Sequence, residues 1–64
     1  MTPEIFRAWR KPRFRSQAAA GLALGKHRAT IARYERDGVP DDESQTVALA
    51  MRAIANDLPP WPAS

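Results

Sequence analysis

Three observations on this 64-residue chain predict an all-α domain of about four short helices. Apolar residues recur at i, i+3 and i+4, capping or stop residues bracket the runs, and no segment alternates with the period of a strand. The length allows one domain over residues 1–64, and a chain this short buries only about 60% of the surface it exposes when unfolded. There is no cysteine to staple it, so association with a second copy is expected.

The first helix is expected over 3–11. Thr2 caps it, Pro3 suits its first position, and Glu4 complements the positive end of the dipole. Ile5, Phe6 and Trp9 form its apolar stripe, and Pro12 forbids continuation. Ser16 caps a second helix over 17–24, rich in alanine and leucine and stopped by Gly25. Gly21 inside it costs roughly 1 kcal/mol relative to alanine, which calls for a packing reason. A third helix over 27–36 turns Ile31 and Tyr34 inward and Arg28, Arg33 and Arg36 mostly outward, ending at Asp37-Gly38. The fourth, over 45–57, carries Val47, Ala50, Met51, Ile54 and Leu58 at helical spacing after the acidic run Asp41-Asp42-Glu43. Those acids favour a helix start. Pro59-Pro60 ends the helix, and the tail from Leu58 to Trp61 is expected to fold back, so that residues 39–64 close the core or dimerise.

Charge divides the chain. Residues 1–36 hold nine Lys/Arg against two acids, +7, and residues 37–64 hold one Arg against five acids, −4. A basic half suggests a polyanion partner, although a charge run alone is more often a solvated face. Here the cations coincide with a motif. A helix–turn–helix unit needs a small residue where its helices cross, a turn residue tolerant of positive φ, and an apolar anchor on the second helix. Gly21, Gly25 and Ile31 meet those demands in that order.

On Ser16-Gln17, Ala20-Gly21, Leu24-Gly25, Ile31 and Tyr34-Glu35, the sequence resembles the Cro/C1-type, XRE-like helix-turn-helix family of phage and bacterial transcriptional repressors. The resemblance covers roughly residues 5–36, and residues 39–58 are more loosely similar to the last helix of short phage-type regulators, including anti-CRISPR-associated repressors. Two departures stand out. The apolar plug before the Ser-Gln pair reads Arg13-Phe14-Arg15, so either Phe14 takes its place or the loop is rebuilt around Pro12. After the turn glycine, Lys26 and His27 replace an apolar residue and Ser or Thr, and Lys26 is expected to lay its stem over the core while its head reaches a phosphate.

The resemblance implies a sequence-specific repressor that binds double-stranded operator DNA as a homodimer, on a pseudopalindromic site in its own operon. The third helix would then lie in the major groove with its first residues at base edges. Arg28 is the first choice for guanine readout, Arg33 for a base or a phosphate, and Ala29 and Thr30 for a thymine methyl. Gln17, at the start of the second helix, suits a phosphate and contacts the DNA backbone in the family. Lys26 and His27 are further phosphate candidates, and Arg10, Arg13, Arg15 and Arg36 would flank them. The resemblance also implies an Arg10–Glu35 pair tying the first helix to the third.

Val47, Met51, Ile54, Leu58 and Trp61 are the expected dimer surface, with the first helix as the alternative. Equally, Trp61 could simply cap the monomer core. No metal is expected, since His27 is the lone histidine and Asp41, Asp42 and Glu43 lack calcium-loop spacing. Neither a cofactor nor a small-molecule ligand is expected. Enzymatic activity is not expected either, because no nucleophile–base set or glycine-rich phosphate loop is present. A protein-interaction module such as an antitoxin or adaptor is the alternative, carried by the apolar stripe of the fourth helix and the tail. No stretch approaches the ~20 apolar residues of a membrane span. The basic N-terminus, broken by Pro12, also lacks the apolar core of a secretory signal, so a cytoplasmic location is expected.

Overall fold

The computed structural model describes residues 1–59 and 61. Pro60 and residues 62–64 lie outside them, and so does that part of the expected tail. The domain is all-α, with α1 (Pro3–Arg10), α2 (Gln17–Leu24), α3 (Arg28–Asp37) and α4 (Asp41–Ala55).

Local chemistry sets most boundaries. Thr2 Oγ1 accepts the Ile5 N–H at 3.2 Å and Ser16 Oγ accepts the Ala19 N–H at 3.1 Å, each satisfying a first-turn donor of its helix. Gly25 closes α2 in the left-handed region at φ 68°. The N–H groups of Gly25 and Lys26 then return to the carbonyls of Leu22 and Gly21, which satisfies the last turn. The Gly21 position has the packing reason its sequence context requires. A Cβ there would sit 2.5 Å from the Lys26 carbonyl oxygen, so the turn leading to α3 lies directly on α2.

Two boundaries differ from expectation. The acids Asp41, Asp42 and Glu43 do not precede α4 but form its first turn, and Pro40 at the N-cap makes no side-chain cap bond. Carboxylates within the first turn favour the dipole without a separate cap. At the other end α4 stops at Ala55, because Asp57 takes φ 56° and the Leu58 N–H turns back to the Ala53 carbonyl at 2.8 Å.

The core gathers Phe6, Ala20, Ile31, Tyr34, Val39, Val47 and Met51, with Trp9, Phe14 and Leu24 packed around it. Phe6 meets Tyr34 edge to face at 5.4 Å, joining α1 to α3. Val47 and Met51 are only 3% and 8% exposed, so their expected place on a dimer surface is corrected. The face of α4 that bears them is used to close the monomer. Trp61 is 94% exposed and does not cap the core. No helix among the described residues is long and apolar enough to cross a membrane.

Candidate nucleic-acid interface

The turn between α2 and α3 and the outer face of α3 present Lys26, His27, Arg28, Ala29, Arg33 and Arg36 to solvent, with Thr30 half-buried. The face opposite is anchored by Ile31 and Tyr34, both fully buried. Each outward side chain therefore projects from a helix whose roll is fixed from within. His27 is the N-cap of α3, its Nδ1 accepting the Ala29 N–H at 3.0 Å. Lys26 and Arg28 are exposed and take no side-chain hydrogen bond or ion pair among the described residues. Arg33 lies over the Tyr34 ring at 5.9 Å. Arg36 is exposed and forks onto Asp37 at 2.9 and 3.1 Å.

Behind this face lies a polar brace. Arg10 donates from Nε and Nη2 to both Glu35 oxygens, at 2.6 and 3.0 Å, with the two residues 9% and 8% exposed. The pair joins α1 to α3, as the Arg10–Glu35 expectation has it. Arg10 is buried in this way and is not a flanking phosphate contact, which corrects that reading. The Arg10 hydrogen bonds hold the Glu35 carboxyl below its ordinary value, against the opposing effect of burial, and Gln17 and Lys11 add to the lowering. Gln17 Nε2 reaches Glu35 Oε1 at 3.4 Å. Gln17 is therefore half-buried and partly engaged, with its second amide hydrogen left over.

Sequence reasoning missed three further ties. Arg7 Nη1 donates to the Glu35 backbone carbonyl at 2.8 Å. Its position three residues before Arg10, on the same side of α1, is the signal that could have found it. The Tyr34 hydroxyl donates to Glu43 Oε1 at 2.5 Å, linking α3 to the first turn of α4. Burial first, and then the Glu43 carboxylate, push the Tyr34 phenol up to about 12. Between α1 and α2, Phe14 packs on Trp9 at 5.7 Å while Arg13 donates to the Trp9 carbonyl at 2.9 Å and lies 5.5 Å over its ring. Phe14 thus supplies the apolar plug. The Trp9 Nε1 is buried without an acceptor among the described residues.

Away from the basic face, an open groove of about 200 Å³ runs between α2 and α4, lined by Leu24, Ala53, Ile54, Leu58 and Pro59 among others. Of the residues expected at a dimer surface, Ile54 is half-buried and Leu58 and Trp61 are exposed. Comparison with protein-family models, with curated proteins and with solved structures returns no match to this chain.

Proposed function

We propose that this chain is a double-stranded DNA-binding transcriptional regulator of the Cro/C1 type, a repressor that occupies its operator as a homodimer and acts in the cytoplasm on its own operon. One observation carries the reading. Lys26, His27 and Arg28 stand exposed at the first turn of α3, and Ile31, Tyr34 and Glu35 hold that helix from the opposite side. A helix presented end-on with unpartnered donors suits a major groove, where an Arg to guanine O6 and N7 discriminates by about 1–3 kcal/mol. Of the side chains expected at a dimer surface, Ile54, Leu58 and Trp61 remain available to a second copy.

The test is a binding titration on duplex DNA from upstream of the protein's own gene, beside a scrambled duplex, at two salt concentrations. Specific, salt-sensitive binding is expected. Arg28→Ala should relax preference at one base pair of each half-site, whereas Gln17→Ala should weaken all sites alike. Equal, weak binding to both duplexes would remove the regulator reading. The groove between α2 and α4 favours the second reading, an antitoxin- or adaptor-type module that covers a protein partner through apolar contact. Such binding would change little with salt.

A further inference from the structure

The two ends of the helix–turn–helix pair are flanked by opposite charge. The α1–α2 connection holds Lys11, Arg13 and Arg15, all exposed, and no acid. The last turn of α3 and the first turn of α4 hold Asp37, Asp41, Asp42 and Glu43, and the cation there, Arg36, is forked onto Asp37.

The basic connection is also well fixed. Phe14 and Arg13 N–H groups both bond the Arg10 carbonyl, at 2.9 and 3.0 Å, and Arg10 Nη1 donates to the Phe14 carbonyl at 3.2 Å. Arg13 is tied to Trp9. Lys11 and Arg15 make no side-chain hydrogen bond among the described residues. Lys11 lies near enough to Glu35 to help hold its carboxyl down, and Gln17 bonds that same carboxylate, so the loop and the start of α2 share one neighbourhood.

We propose that Lys11 and Arg15, on the α1–α2 connection, form a second phosphate anchor that grips the DNA backbone beside Gln17, while the acidic α3–α4 side carries no backbone contact. This rests on the DNA-binding reading and adds where its backbone grip lies. A loop pinned by Phe14 and Arg10 presents its cations with little ordering left to do on binding, which favours affinity. The acids across α3 repel a phosphate strand, so the grip is one-sided.

The experiment follows binding to a short mixed-sequence duplex as salt rises. Each phosphate neutralised steepens the fall of log K against log salt by about 0.9. The Lys11→Gln/Arg15→Gln variant should therefore lose about 1.8 from the slope per copy bound, and wild type should weaken about twelvefold more than it does between about 50 and 200 mM salt. Lys11→Arg/Arg15→Lys should keep the wild-type slope, which separates charge from packing. Arg36→Gln should also keep it. A steep wild-type slope unchanged in the doubly neutralised variant would overturn the anchor and leave the DNA-binding reading standing. A slope lost in Arg36→Gln instead would move the grip to the acidic side and overturn it too. No salt-sensitive binding by wild type would end both.

Discussion

Replacing Glu35 with glutamine tests the brace between α1 and α3 directly. The substitution keeps size and one acceptor oxygen but removes the charge, leaving the Arg10 guanidinium buried at 9% exposure opposite an amide. Breaking a buried pair from one side costs about 3–5 kcal/mol. Both groups keep a small solvent-facing remnant, so the lower end, about 3 kcal/mol, applies. A 64-residue domain has only about 3–10 kcal/mol of total stability. Its unfolding entropy, taken per residue, is about 0.13 kcal/mol per degree, so Tm should fall by about 20 °C. Thermal denaturation followed by circular dichroism reads this directly. Arg10→Met/Glu35→Leu, which removes both charges, should recover at least half of the loss, because apolar replacements of buried pairs are often neutral or better. A fall of less than about 5 °C in Glu35→Gln would refute the reasoning, since it would mean that water relieves the stranded guanidinium.

Further outcomes are expected from pH and from single substitutions. Because Arg10 depresses the folded-state pKa of Glu35, that stability is present above the ordinary glutamate value of 4.5 and drains away as pH falls through it toward the lower folded value. A Tm–pH series on wild type should show this acid limb, and Glu35→Gln should flatten it. Tyr34, raised to about 12, works in the opposite sense: stability is full below the free-phenol value of 10 and is lost as pH climbs through about 12, a titration readable from phenolate absorbance. Tyr34→Phe removes the hydrogen bond to the Glu43 carboxylate and should cost about 1.5 kcal/mol by urea denaturation. Gly21→Ala drives a Cβ against the Lys26 carbonyl and should cost about 1–3 kcal/mol. Gly25→Ala meets no atom within 4 Å, so only its φ of +68° opposes it, by about 1–2 kcal/mol. A D-alanine at 25 in a synthesised chain should be tolerated, because a left-handed φ is that residue's own favoured region.

What the sequence made legible was mostly short-range. Thr2, Ser16 and Gly25 act within one helical turn of where they stand, so their roles could be read without knowing the fold. The bounds of α2 followed from them. The stripe of α4 was different, because Val47, Ala50, Met51, Ile54 and Leu58 repeat with a period that suits a core and an interface equally. Only the placement of α4 against α2 separates the buried Val47 and Met51 from the exposed Leu58. The start of α4 was ambiguous for a related reason. Acids favour a helix whether they cap it or occupy its first turn, and Pro40 supplies no side-chain oxygen to mark the junction. Gln17 shows the limit on the candidate site. Its position at a helix start pointed outward to an anion, but Glu35, 18 residues away, takes one of its amide hydrogens.

Glu35 therefore has more than one role. Its side chain takes Arg10 from α1 and Gln17 from α2, and its backbone carbonyl takes Arg7. A core of seven buried apolar residues offers non-directional attraction. That attraction favours contact among the helices but discriminates poorly between nearby angles of α3. A carboxylate with two fixed oxygens does discriminate, because a small rotation of α3 lengthens the bonds to Arg10 and Gln17 together. On this argument the acid at position 35, amid basic neighbours, serves orientation more than stability. The apolar replacement of the pair should then restore Tm more fully than it restores whatever affinity depends on the exact presentation of Arg28.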